Sequence, residues 1–193
     1  MNPFGPYAVL VAADHPAALR AEIVRRIPEI EDVVPGAQNV LVRWRPGSAP
    51  DLNWASSWKP SDEGASAGRE VTIPVRYDGP DLASVASQAG LPEDEIIALH
   101  TGAVYTVAFT GFTPGFGYLT GLPTQLQLGR RGSPRTRVPA GAVGLAGEFT
   151  GVYPRPSPGG WQLIGQTSVV LWDVAADPPA LLAPGDRVRF VAC

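Results

Sequence analysis

Four arginines, Arg130, Arg131, Arg135 and Arg137, fall within eight residues around Pro134. A guanidinium is a planar fork of donors that grips a carboxylate or phosphate through two hydrogen bonds. The only lysine, Lys59, lies far away in sequence, so these arginines are the groups best suited to neutralise an anion. A solvated basic loop would have the same composition. Upstream, the run Gly111-Phe112-Thr113-Pro114-Gly115-Phe116-Gly117-Tyr118 interleaves glycines with aromatics. Glycine lets backbone approach a ligand or reach positive φ, and aromatic rings wall pockets. A tight barrel corner with its aromatics in the core would use the same residues. Downstream, residues 138–144 (VPAGAVG) and 157–161 (SPGGW) form two more Gly-containing loops. Their free N–H groups are able to cradle an anion, although turn formation alone also accounts for them. Between these loops lie Glu148 and Tyr153. Glu148 is one of four acidic residues in 100–193; it is either a proton acceptor or a solvated loop carboxylate. His100, near the end of an expected helix, is either a general acid/base or a helix-terminal histidine.

Other chemistries lack their residues. There is no G-x-x-x-x-G-K-[ST] loop and no G-x-S-x-G elbow. The two histidines, His15 and His100, come without a paired ligand spacing, and Cys193 is the only cysteine. Neither a metal site nor an intrachain disulfide is expected.

These groups must be held by a turn-rich framework. Of 193 residues, 22 are glycine and 21 proline, against 45% apolar. So many helix breakers argue against a helical bundle, and so much apolar side chain argues against disorder. Residues 111–165 concentrate this character, with 13 glycines and 7 prolines. Charge is uneven as well: residues 1–99 carry a net −6 and residues 100–193 a net +3, which makes the second half the natural host of an anion. An acidic overall balance does not fit a general nucleic-acid binder. No apolar run reaches the roughly 20 residues of a membrane helix, and the start lacks the features of a signal peptide, so a cytoplasmic protein is expected.

Residues 7–12 read as a strand, 17–27 as a helix, and 33–34 and 40–44 as two strands joined at Pro35-Gly36. Residues 51–58 have room for about two helical turns. Residues 60–69 are polar and small, as in a linker. Strands are then expected over 71–77, 104–109, 143–145, 161–164, 169–172 and 187–191, with helices at 81–89 and 92–99. Short, closely spaced strands favour a closed barrel. The expected class is α+β, mainly β. The residues alone lead to a β-barrel domain with a Gly-rich, Arg-bearing anion pocket and too few catalytic groups to act unaided.

Several ordered blocks resemble a known family. They are Leu99-His100-Thr101; residues 109–119 (FTGFTPGFGYL); residues 130–141 (RRGSPRTRVPAG); residues 143–147 (VGLAG); residues 150–154 (TGVYP); and residues 157–165 (SPGGWQLIG). They resemble the 5-oxoprolinase B subunit family, also called allophanate hydrolase subunit 1 or KipI-like. The resemblance is close over about residues 70–193. It implies a ferredoxin-like α+β domain at 1–59, a linker at 60–69 and a cyclophilin-like β-barrel at 70–193. It implies a companion C subunit (allophanate hydrolase subunit 2, KipA-like), a further A subunit, and ATP, with Mg, for opening 5-oxoproline to glutamate. The older label implies allophanate hydrolysis. Some members instead inhibit a sensor histidine kinase, and a non-catalytic partner role is a third possibility.

On this footing His100 and Glu148 are the expected proton-handling residues. Phe112, Gly115, Phe116, Tyr118, Arg131, Arg135, Arg137, Gly141, Tyr153, Ser157, Gly159 and Gly160 are the expected substrate- or phosphate-binding residues. The chain departs from the family pattern at Gly129, Ala142, Gln166 and Ser168. Gln166 stands where a basic residue is usual.

Overall fold

The computed structural model describes residues 1–59 and 68–193. The chain divides into two compact units, Met1–Ser66 and Ala67–Cys193. Apart from Gly68 and Arg69, the expected linker at 60–69 lies outside the described residues.

The first unit contains β1 (Asn2–Pro3), β2 (Ala8–Ala12), α1 (Pro16–Arg26), β3 (Asp32–Pro35) and β4 (Asn39–Arg43). Its sheet has the order β1-β2-β4-β3, and every pairing is antiparallel. Helix α1 starts on a proline, which suits the first turn, and ends on Arg25 and Arg26, which suit the negative end of the helix dipole. Leu19 and Ile23, four residues apart, bury the same helix face against Val11, Val33, Val40 and Val42. The βαββ outline expected from the sequence is present. Residues 51–58 contribute only one 3-10 turn, Asn53–Ser56. Among the described residues of this unit there is no second long helix and no strand after it.

The second unit contains β5 (Glu70–Val75), α2 (Leu82–Ala89), α3 (Glu93–Gly102), β6 (Tyr105–Thr110), β7 (Gly117–Thr120), β8 (Arg135–Val138), β9 (Ala142–Ala146), β10 (Phe149–Val152), β11 (Ser157–Gly159), β12 (Gln162–Gln166) and β13 (Arg187–Ala192). Seven strands make one sheet in the order β12-β9-β10-β7-β6-β13-β5, and β11 and β8 form a separate two-stranded ribbon. The last strand pairs in parallel with β5 over six residues, Arg187↔Glu70 to Ala192↔Val75. The sheet's two outer strands nearly meet. Arg76, just past β5, exchanges two backbone hydrogen bonds of 2.8 Å with Gln166 of β12. The result is a nearly closed, barrel-like sheet. The unit is mainly β with two short helices, in line with the expected class.

Alternation along β9 explains its layering. Val143 and Leu145 enter the main core with Ile73, Val75, Tyr105, Val107, Leu119, Val188 and Phe190. Ala142 and Ala146 turn to the opposite face and a second cluster of Phe116, Val138, Tyr153, Trp161 and Leu163. Val138 of β8 joins that cluster, so the β8–β11 ribbon covers the outer face of β9 and β12. The expected strand at 169–172 is not formed. Leu171 is buried, but the segment makes only one isolated bridge, Trp172↔Ala180. Among the described residues no helix is long and apolar enough to cross a membrane.

Candidate functional site

A cavity of about 220 Å³ opens where the sheet closes on itself. The loop between β5 and α2 supplies Asp78, Gly79 and Pro80; β8 supplies Arg135 and Arg137; β12 supplies Leu163, Gly165 and Gln166. Just behind this loop lies Asp81. It precedes α2 but does not cap it with its side chain. The carboxylate is used elsewhere. Asp81 Oδ1 accepts from Arg131 Nη1 at 2.6 Å and from Arg135 Nη2 at 2.7 Å, and Oδ2 accepts from the Leu163 N–H at 2.7 Å. The Asp81 N–H donates in return to the Leu163 carbonyl oxygen at 2.9 Å. One buried side chain thus both fastens the seam of the barrel and fixes two guanidinium planes.

The electrostatics of this arrangement favour an anion. Burial alone would raise the Asp81 carboxyl, but the Arg135 hydrogen bond, the Leu163 N–H and the two guanidinium charges hold it below the usual carboxylate range. Asp81 therefore stays charged. Arg76 pairs with Asp78 beside the cavity. Four arginines, Arg76, Arg131, Arg135 and Arg137, thus stand against two aspartates. Arg137 is exposed and has no ion-pair partner among the described residues. Arg131 Nε and Arg135 Nη1 are buried N–H donors without a partner. Buried donors of this kind are uncommon, and here they sit beside a cavity with excess positive charge.

Gly141 shows why the loop before β9 has the sequence it has. Its φ is 78°, and a Cβ there would overlap the Thr167 carbonyl oxygen. Its carbonyl accepts from the Thr167 N–H at 2.9 Å, and its own N–H donates to the Tyr153 carbonyl at 2.7 Å. A side chain would push the end of β12, with Gln166, away from β9.

A family model for the carboxyltransferase domain, subdomain C and D, matches residues 4–182. The 5-oxoprolinase B subunit of Escherichia coli O157:H7 is 43% identical over 202 residues, covering 97% of this chain and 93% of that protein. The chain belongs to the 5-oxoprolinase B subunit family. The Haemophilus influenzae protein of the same name is 49% identical over 127 residues, 64% of this chain and 60% of that one. The crystal structure of TTHA0988 matches 97% of this chain with a TM-score of 0.83 and 37% identity, and this chain covers 40% of it.

The blocks shared with the 5-oxoprolinase B subunit family do not all meet at one place. Arg135 and Arg137 line the cavity, Arg131 stands behind them, and Gly141 fixes its edge. Gly160 accepts the Arg131 N–H at 2.8 Å, Gly159 pairs with Arg135, and Ser157 pairs with Val138. These three hold the ribbon rather than contact the cavity. Gly159 also passes directly over the Tyr153 hydroxyl, where a Cβ would collide. Phe116 and Tyr153 are buried in the aromatic cluster beneath the ribbon, with ring centroids 5.3 Å apart. Tyr118 stacks on Phe109 at 4.4 Å, and burial raises the hydroxyls of Tyr118 and Tyr153. Phe112 and Gly115 line a different groove.

The two expected proton-handling residues are placed elsewhere. Glu148 is exposed in the two-residue turn between β9 and β10. His100 has no exposed surface and stacks on Phe190 at 4.5 Å. Its Nε2 lies 3.0 Å from Thr150 Oγ1, which donates its own hydrogen to the Gly144 carbonyl at 3.1 Å. Nε2 must therefore carry the proton, and Nδ1 accepts from the Tyr77 hydroxyl at 2.7 Å. Burial lowers His100 to about 3. It is a neutral core histidine with both nitrogens engaged, and this geometry gives it no path to a substrate. Sequence reasoning missed Asp81. The available signal was an aspartate at a helix start, within an acidic half, facing no arginine nearby in sequence. Its partners lie 50 and 54 residues away.

Proposed function

We propose that this chain is the B subunit of a multi-subunit, ATP-dependent amidohydrolase that opens 5-oxoproline to glutamate. The observation that carries this reading is the Arg135–Arg137 cavity clamped on Asp81. Its volume of about 220 Å³ lies below the roughly 300–1,000 Å³ of pockets for drug-sized ligands. It suits a small acid, or one anionic end of a larger ligand, and 5-oxoproline is a small acid. Two guanidiniums and unpartnered N–H donors stabilise negative charge without supplying a nucleophile. That matches a protein that binds and orients while its companions complete the chemistry. Opening a lactam at neutral pH is helped when its carbonyl oxygen is activated, for example by transfer of a phosphoryl group from ATP, before water adds and the C–N bond breaks. In this chain the anion-facing groups are Arg135 and Arg137, with Gln166 beside them. Mg would accompany the nucleotide.

The names of the relatives, each a B subunit, support companion polypeptides of the C and A types. The two units would be the ferredoxin-like and cyclophilin-like domains of the family, working in the cytoplasm. The test is reconstitution with both companions and measurement of ATP hydrolysis stimulated by 5-oxoproline and, separately, by allophanate. Stimulation by 5-oxoproline is expected. Stimulation by allophanate alone, or by neither, would overturn the assignment.

A further inference from the structure

The groove beside the β6–β7 loop, of about 500 Å³, takes no part in the arginine site. Phe112, Thr113, Gly115, Trp172 and Leu182 are among its lining residues, and none of that lining is ionisable. Phe112 has a φ of 66°, and the Thr113 N–H donates to the Gly111 carbonyl at 2.7 Å. This is a γ-turn of the strained, positive-φ kind. A residue with a bulky side chain is an outlier there, yet the Phe112 side chain is 59% exposed. Its exposure means that core packing does not account for its presence. Gly115, at φ 81°, lies so close to the other wall that a Cβ would come within 2.7 Å of Trp172 Cβ. The two walls are therefore locked together and the groove is preformed. Thr113 is 9% exposed, and its Oγ1 is buried without a partner.

These features select an uncharged occupant with an apolar body and one hydrogen-bonding group. The apolar surface also runs past the groove. Val170 and Val174, flanking Trp172, are 68% and 82% exposed. A small molecule would leave them in water, whereas exposed apolar patches of this kind mark protein contacts. The length of TTHA0988 points to which protein: most of that chain lies outside the part matched here, so there the additional polypeptide is tethered to this fold.

We propose that this groove docks an apolar side chain of the companion C subunit, with a polar group of the same segment meeting Thr113 Oγ1. The proposal rests on the reading of the chain as one member of a complex. Aromatic anchors seated in preformed pockets carry much of the energy of such contacts.

The experiment is calorimetric titration of the purified companion C subunit into the full chain, for wild type, Phe112→Asn and Val174→Ser. Asparagine tolerates positive φ, and Val174 is almost fully exposed, so both variants are expected to keep the wild-type Tm. Phe112→Asn should weaken Kd at least tenfold, and Val174→Ser about threefold. Wild-type affinity in both variants would overturn the docking site and leave the complex standing. Wild-type affinity with a raised KM for 5-oxoproline would also overturn it, in favour of a small ligand. No association of the wild type would overturn the complex and the docking site together.

Discussion

Asp81 and His100 are both buried, polar and hydrogen-bonded, but they do different work. Asp81 holds two cations that otherwise repel, and breaking a buried ion pair by removing one partner costs about 3–5 kcal/mol. Asp81→Asn keeps the shape and removes the charge. It should therefore lower stability by about 3 kcal/mol in urea unfolding and loosen the arginines at the same time. Because the folded carboxyl is held below its unfolded value, its contribution is full above the unfolded pKa, near pH 4. It disappears at lower pH as the folded carboxyl itself takes up a proton. His100 acts in a higher pH range. Its pKa falls from 6.5 in the unfolded chain to about 3 in the fold. The neutral histidine thus contributes fully above pH 6.5, and that contribution is lost progressively as pH falls towards 3, on the order of 4–5 kcal/mol in all. Urea midpoints measured from pH 7 to pH 4 should fall in the wild type. His100→Ala should cost about 3–5 kcal/mol through its cavity and the orphaned Tyr77 and Thr150 hydroxyls. The folded fraction of that variant should keep the substrate-dependent turnover of the complex, which a catalytic histidine would not allow.

At the scale of elements, the β8–β11 ribbon and the loop before β9 place the arginines over the seam of the barrel. Gly141→Ala should cost about 3 kcal/mol or more, since it combines a disfavoured φ with overlap on the Thr167 carbonyl. Denaturation would report the loss, and weaker anion binding should accompany it as Gln166 shifts. The sequence made most of these elements legible. Period-two runs such as residues 71–77 and 104–109, and the Gly90 stop after α2, left little choice. The strand expected at 169–172 failed because apolar content there serves Leu171's burial and an exposed valine rim, not a ladder. The site was legible as an arginine cluster, but its organisation was not. Arg131 and Arg135 meet Asp81 only through a seam formed by residues some 80 positions apart, and local pattern carries no trace of that. His100 was read as reactive because nothing in its neighbourhood in sequence shows the Phe190 and Thr150 that enclose it.

For the whole molecule, each unit has its own core, and the cores are unequal. The first unit gathers eight buried residues around Val11, Ile23 and Val42, while the second has a 19-residue main cluster and the aromatic cluster besides. Small domains bury a smaller share of their surface and are correspondingly marginal. Amide hydrogen exchange should show residues 8–43 opening at lower free energy than residues 105–152; equal protection would mean that the chain unfolds as one body. The larger unit carries both the cation-lined cavity and the proposed docking groove, so binding and assembly would be handled by separate faces of one rigid sheet.

The central claim is that Arg137, exposed and unpaired at the cavity mouth, meets the anion. The decisive measurement is 5-oxoproline-stimulated ATP turnover of the reconstituted complex carrying Arg137→Ala. Removing one such donor from a developing charge costs on the order of 10²–10³ in rate, so a fall of that size is predicted, with the urea midpoint unchanged. Turnover equal to wild type would contradict the account.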